Sequence, residues 1–327
     1  MTDKTIKFSV NKEDDGNRLD LMLTKRIGSL TRSKLKKVIE SKNVKINNCI
    51  VSSPSKKVRL NENIVVSFFQ KENNKIEPFK TKIDVVYEDK DLLVINKPAG
   101  MVVHPGAGNF KKTLVNALVF KYKKKLSDIN GELRPGIVHR IDKETSGLLV
   151  VAKNNLAHSK LAKQFSEHTI ERKYLALVWG VIRPLKGKIE TLIARSKKNR
   201  QLMAVSEIKG KKAITNYSTQ KVYNIKDIPK VSLIECELET GRTHQIRVHM
   251  NFKGNPIVGD KSYGRSLKKF KKIDSNVENK LNNLNRQALH AKSLGFFHPR
   301  TEKEIFFEAE RPNDFEMLIK SLKKASI

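Results

Sequence analysis

His139-Arg140-Ile141-Asp142-Lys143-Glu144-Thr145-Ser146-Gly147 runs directly into Leu148-Leu149-Val150-Val151-Ala152. The second half is an unbroken apolar run of strand length, which predicts a strand buried on both faces. A loop dense in His, Arg, Asp, Thr and Ser, anchored to such a strand, can hold a reactive group rigidly. Asp142 is the natural candidate, a carboxylate among cations that can serve as base or nucleophile. A single aspartate of this kind more often caps a turn, so the reading depends on what the rest of the chain supplies.

Toward the C-terminus lies Thr240-Gly241-Arg242-Thr243-His244-Gln245-Ile246-Arg247-Val248-His249-Met250. Gly241 is expected to permit a tight turn, Thr243 to cap a helix over 243–252, and Gly254 to end it. Ile246 and Met250 share one face of that helix and can enter the core while Arg247 points elsewhere. An ordinary amphipathic helix with solvated His and Arg fits the same pattern equally well. Toward the N-terminus, Lys97-Pro98-Ala99-Gly100-Met101-Val102-Val103-His104-Pro105-Gly106 reads as a rigid loop after a strand. Gly106-Ala107-Gly108 lacks both the Lys-Ser/Thr of a phosphate loop and the GxGxxG spacing. Glu171-Arg172-Lys173-Tyr174-Leu175-Ala176-Leu177-Val178 reads as a strand. Its Tyr174 either faces a cleft or, by default, packs in the core with its hydroxyl satisfied.

Over 327 residues, 66 Lys and Arg oppose 34 Asp and Glu, a formal net charge of +32. With 31% charged and 38% hydrophobic residues, the composition is too apolar for a disordered polycation and too polar for a membrane protein. The excess favours a polyanionic partner, nucleic acid first, because each neutralised phosphate releases a counterion. Fifty of the 66 cations are lysine, so compositional drift toward Lys, Asn and Ile accounts for part of it. Cys49 and Cys236 stand far apart, no HExxH occurs among the eight histidines, and His244 and His249 are out of helical phase for a shared ion. Neither a disulfide framework nor a metal site is expected. Residues 1–10 carry no apolar signal core and no run approaches the ~18 residues of a membrane span, so a cytoplasmic protein without membrane contact is expected.

The chain divides into a basic unit at 1–70, a linker at 71–82 that lacks periodicity, and a large domain at 83–327. In the first unit a helix opens at Arg18-Leu19 and a second follows Thr31 as N-cap, with Leu35, Val38 and Ile39 at core spacing. Arg32, Lys34, Lys36 and Lys37 lie on its exposed face. Two short strands flank an Asn47-Asn48 turn, and 58–66 supplies another strand. In the large domain, strands are predicted at 85–87, 92–96, 148–152 and 174–178, and helices at 113–122 and 156–165; the remainder reads as strand-rich. The basic stretch 265–272 and the Ile273-Asp274-Ser275-Asn276 that follows read as a surface loop.

The N-terminal unit resembles the S4-type RNA-binding fold, except that the glycine usual in the turn before the strand is replaced around Ser41-Lys42-Asn43. Taken together, the loops and motifs resemble the pseudouridine synthases of the large-subunit ribosomal RNA type over essentially the whole chain. The HRxDxxTSG core is 139–147 and the GRTHQIRVH segment is 241–249, with further matches at 97–105, Arg172-Lys173-Tyr174 and Leu289-His290-Ala291. Ile141 replaces a more usual leucine. The resemblance implies an α+β protein, a small S4-like RNA-binding domain followed by a catalytic domain on a mixed, largely antiparallel sheet. It implies an isomerase that flips specific uridines of 23S rRNA, or of a large-subunit precursor, and converts them to pseudouridine with no cofactor. Asp142 matches the catalytic aspartate, Tyr174 the active-site tyrosine, Arg247 the basic residue paired with the aspartate, and Arg140 the arginine that holds open the RNA stack. The S4 likeness assigns Arg32, Lys34, Lys36 and Lys37 to RNA contact. The competing reading is a non-catalytic S4-domain RNA-binding assembly factor for the ribosome.

Overall fold

The computed structural model describes residues 4–28, 30–68, 76–106, 108–123, 125–131, 133–226, 228–264 and 275–327. Ala107, residues 71–75 of the expected linker and the basic stretch 265–272 with Ile273 and Asp274 lie outside them. The chain forms two compact units, Met1–Asn74 and Lys75–Ile327.

In the first unit, β1 (Lys4–Ser9) precedes α1 (Leu19–Ile27) and α2 (Arg32–Glu40), followed by β2 (Val44–Ile46), β3 (Cys49–Val51) and β4 (Asn63–Phe68). The sheet order is β1-β4-β2-β3. Asn47 and Asn48 both adopt positive φ, at 46° and 66°, which the β2–β3 hairpin twist requires. Lys42, in the turn after α2, also takes a left-handed φ of 62°. Leu19, Leu23, Leu35, Ile39, Val44, Ile64 and Val66 are fully buried and form the core. Two expectations change. Thr31 occupies the N-cap position of α2, but its side chain makes no capping bond. The last strand starts at Asn63 rather than 58, because Glu62 N–H bonds Arg59 O and Asn61 turns left-handed.

The second unit starts with an extended segment. Residues 76–82 are not free linker: Ile76 packs on the core, Phe79 N–H bonds Asn116 O, and Asn116 Nδ2 donates to Glu77 O. The elements that follow are β5 (Val85–Glu88), β6 (Leu92–Lys97), α3 (Leu114–Tyr122), β7 (Ser146–Ala152), α4 (Asn155–Glu167), β8 (Glu171–Trp179), β9 (Lys186–Arg195), β10 (Met203–Ser206), β11 (Lys211–Tyr223) and β12 (Val231–Leu238). They are completed by α5 (Gln245–Phe252), α6 (Ser275–Leu284), β13 (Leu289–Phe297), β14 (Glu304–Glu308) and α7 (Asn313–Ala325). A ten-stranded sheet runs β10-β9-β11-β12-β8-β13-β7-β6-β5, with β14 on β13. Its neighbours are antiparallel apart from the parallel β13–β7 pair. The sheet is therefore mixed and largely antiparallel, with helices packed on it.

β6 and β7 show why the central strands read as unbroken apolar runs. Leu93, Ile95, Leu149 and Val151 enter the main core, while Leu92, Val94, Leu148 and Val150 pack with Ala157 and Leu161 of α4 on the opposite face. Both faces are covered, so alternation disappears. The tail is less strand-rich than its sequence reads: α6 starts at Ser275, and α7 buries Phe315, Leu318 and Leu322. No helix among the described residues is long and apolar enough to cross a membrane.

Candidate active site

The loop before β7 is fastened at every side. Thr145 N–H bonds Asp142 O and closes a turn. Lys97, fully buried at the end of β6, donates from Nζ to Pro98 O, Met101 O and Lys143 O, and Gly100 N–H adds a bond to Lys143 O. Burial pushes the Lys97 pKa down to about 7 against the pull of Glu144 and Asp142, while three surrounding carbonyls match the three N–H of the ammonium form. Val150 N–H donates to His139 Nε2, and the ring stacks on Phe165. Burial, helped by Arg172, lowers the His139 pKa to about 3, which keeps the accepting nitrogen unprotonated.

Thr145, Ser146 and Gly147 are what let β13 lie beside this loop. Gln287 Nε2 donates to Thr145 Oγ1, and Ser146 Oγ pairs with His290 Nδ1. Gly147, at φ 111°, faces Ala291: a Cβ there would sit 2.1 Å from Ala291 O. Any side chain would push the parallel pair apart.

The second cluster arrives differently from expectation. The helix starts at Gln245, after His244 in the left-handed region, and Thr243 does not cap it. The Gln245 side chain does the anchoring instead: Oε1 accepts from Thr240 Oγ1 and Arg242 N–H, and Nε2 donates to Ile214 O and Thr215 Oγ1. Gly241 has no positive φ; it leaves room for Arg172, whose Nη1 would lie 2.8 Å from a Cβ. Gly254 does close the helix, with φ 76°. Ile246 and Met250 are buried as expected.

Arg247 is buried too, and joins two carboxylates. Its Nε and Nη2 fork onto Asp260 at 2.7 and 2.9 Å, and its Nη1 reaches Asp142 Oδ2 at 3.0 Å. Burial acts to lower the Arg247 pKa, yet Asp260 and Asp142 together raise it. Burial likewise opposes the Asp260 carboxylate, and Arg247 with the Ser262 and Tyr263 N–H groups overcomes it, lowering its pKa. The Arg247 guanidinium lies over the Tyr263 ring, 4.9 Å from its centre, and the Tyr263 hydroxyl meets His244 Nδ1. The opposite nitrogen, His244 Nε2, is 3.9 Å from Asp142 Oδ2.

Asp142, Tyr174, Arg247 and Arg140 thus line one cavity of about 460 Å³, with Ile141, Phe165, Leu238 and Leu289 as apolar walls. Tyr174 is buried, and desolvation raises its pKa, with Asp142 reinforcing the shift. Arg140 is exposed at the rim. Asp142 keeps a partly open side chain whose Oδ2 is held by Arg247, with no hydrogen bond from the described residues to Oδ1. A single carboxylate is therefore oriented by a cation that is itself immobilised. Asp260, with a fully buried side chain, cannot reach a ligand.

The four cations assigned to RNA contact lie together on α2 of the first unit, outside this cavity. Lys34, Lys36 and Lys37 are exposed. Arg32 instead grips buried Asp20 through Nε at 3.0 Å and Nη2 at 2.9 Å, alongside Arg18. Asp260, Tyr263 and Lys97 are the site residues that reading the sequence did not assign. The short Gly259-Asp260-Lys261-Ser262-Tyr263-Gly264 run, a polar turn bounded by glycines, was the available signal. A separate group, Asp89, Asp91 and His298, has ligand-type atoms within 4.8 Å of one another. Tyr87, His298, Asn154, Arg300 and backbone N–H groups already use those oxygens, so the group ties the edge of the sheet together.

Residues 91–252 match the family model of RNA pseudouridylate synthases. Over 321 residues the chain is 46% identical to the ribosomal large subunit pseudouridine synthase D of Zymomonas mobilis, covering 97% of this chain and 98% of that one. It is 41% identical to an uncharacterized RNA pseudouridine synthase of Bacillus subtilis, with 98% of each covered. Among solved structures, human RNA pseudouridylate synthase domain containing 1 superposes with a TM-score of 0.55 at 24% identity, over 76% of this chain and 97% of that one, a likeness of fold.

Proposed function

The chain belongs to the RNA pseudouridylate synthase family, and from that premise we propose that it isomerises specific uridines of the large-subunit ribosomal RNA, with Asp142 acting on the flipped nucleoside. The family reaction breaks the N1–C1′ bond, turns the uracil and forms the C5–C1′ bond; a proton leaves C5 and N1 ends protonated. Nothing is oxidised and no group is transferred away, so the chemistry asks for no cofactor. The observation that carries the assignment is the Asp142–Arg247–Asp260 chain, which fixes one carboxylate oxygen of a residue that lines the cavity.

Asp142 acts either at the ribose C1′ or by promoting loss of the 2′ proton through a glycal-like route. In both, water has to be kept from C1′ or the base is lost, which the apolar walls and Tyr174 support. Tyr174 packs against the base. Its raised pKa keeps the phenol protonated, so the hydroxyl can donate to the turning uracil and relay the C5 proton. Flipping costs a few kcal/mol of unstacking, which Arg140 offsets at the gap and basic surface offsets along the backbone. The S4-like first unit, with Lys34, Lys36 and Lys37, supplies part of that surface, and the protein works in the cytoplasm, where ribosomes are assembled. The relatives named ribosomal large subunit pseudouridine synthase D make 23S rRNA the first substrate to try.

The test is to incubate the protein with 23S rRNA transcript and no additives, then map carbodiimide-dependent stops of reverse transcription. New stops at discrete uridines are expected. RNA binding without stops would support the assembly-factor reading instead.

A further inference from the structure

A second cavity, of about 540 Å³, borders the Asp142 loop. Arg140, Ile141, Asp142, His244 and Arg247 line both cavities, so the two adjoin along these five residues. The volume falls in the range of about 300–1,000 Å³ that holds small ligands. Its remaining wall includes His104, from the loop that Lys97 pins, and Lys261, which follows Asp260.

His104 is 8% exposed; its Nδ1 is buried with no hydrogen-bond partner among the described residues and is closed to the cavity, so Nε2 is the ring nitrogen left to meet a ligand. Burial, reinforced by Arg140 and Arg134, lowers the His104 pKa to about 4, so the ring is neutral near pH 7. With Nδ1 closed off, the neutral ring offers Nε2 as a donor or an acceptor according to its tautomer, which suits the edge of a base better than a phosphate. The rim is complementary. Arg140 and Lys261 are exposed, and neither forms an ion pair among the described residues.

We propose that this cavity is a second nucleotide subsite, which takes the base adjacent to the reacting uridine, with His104 hydrogen-bonding its edge and Arg140 and Lys261 meeting the flanking phosphates. The inference rests on the first cavity being the uridine site. It makes His104 a specificity-determining residue for sequence context. Splayed single-stranded bases are read in this way by hydrogen bonds to their edges. Arg140 lines both cavities and so stands where the chain would pass from one to the other.

The experiment uses full-length protein and a short RNA carrying a mapped target uridine, intact or with an abasic residue immediately 5′ or immediately 3′ of the target. Wild type, His104→Phe and His104→Gln are compared by kcat/KM. One abasic RNA should lower the wild-type value about fivefold, through KM, the scale of one hydrogen bond. His104→Phe should show the same loss on intact RNA and no further loss on that abasic RNA, with His104→Gln recovering part of it. Losses that multiply in the combination, or wild type indifferent to both abasic positions, overturn the subsite. If thermal melting shows that His104→Phe is unfolded, His104→Gln carries the same comparison. A wild type that forms no pseudouridine in any large-subunit RNA would sink the uridine-site reading and this one with it, an outcome distinct from an active enzyme blind to the neighbour.

Discussion

Helices α2 and α5 are both short and both carry the cations of a conspicuous motif, yet they use charge in opposite ways. On α2, Lys34, Lys36 and Lys37 stand in solvent. On α5, Arg247 has a side chain only 8% exposed and is forked between two carboxylates. Solvated lysines act at a distance, weakly and with screening by salt. A buried arginine tied to Asp260 contributes fixed geometry, and its loss leaves an uncompensated charge. Arg32 lies between the two cases: it belongs to the α2 motif, but buried Asp20 holds it.

The contrast breaks most visibly at Asp260. Asp260→Asn should cost about 4 kcal/mol of stability, read by denaturant unfolding, because a buried partner of Arg247 is removed. Activity should fall about a hundredfold in kcat with KM little changed, since Arg247 no longer fixes Asp142. An effect confined to KM would mean that Asp260 acts on RNA binding instead. Next is Lys97→Met, which strands three carbonyls and frees the 97–101 loop from the Asp142 turn; a loss of about 3 kcal/mol is expected.

His249 lies two residues beyond Arg247 and extends the same logic to pH. It is fully buried between Thr191 and Thr215, and burial lowers its pKa to about 4. Because the folded value lies below the unfolded 6.5, the unfolded chain takes up the extra proton first as pH falls. Its contribution is complete above pH 6.5 and declines toward pH 4, by about 3 kcal/mol at that point. His249→Gln should therefore show a shallower acid decline in unfolding free energy, and an unchanged slope would rule the group out. The smallest effect belongs to α2. Lys34, Lys36 and Lys37 replaced together by Ala should weaken RNA binding severalfold and reduce the slope of log affinity against log salt, by up to about one for each phosphate no longer neutralised.

What a sequence discloses follows the same division between local and distant partners. The Asn47-Asn48 hairpin, the buried strand β7, the helices α3 and α4 and the Tyr174 strand are legible because the signals are local: turn chemistry and apolar period. Asp142 stands out because its loop is dense in reactive side chains, whereas the pairing of Arg247 with it follows from the family resemblance and not from the spacing. Asp260 does not, since what distinguishes it is a partner reached only after α5 and its loop have packed. The roles of Gly241 and Gly147 are hidden for the same reason; one makes room for Arg172 and the other for Ala291, both from distant strands. Insertion of β13 between β7 and β8 is a non-local event that no window along the chain contains.

In the proposed mechanism Asp142 is the carboxylate that acts on the ribose, Tyr174 relays a proton, and the rest of the cavity holds and shields them. Asp142→Asn keeps size and shape and removes the charge. The direct measurement is the fraction of target uridine converted by wild type and by Asp142→Asn, each with its affinity for the same large-subunit RNA. RNA binding within a few-fold of wild type and no detectable pseudouridine are expected from the variant. Substantial conversion by Asp142→Asn would contradict this mechanism.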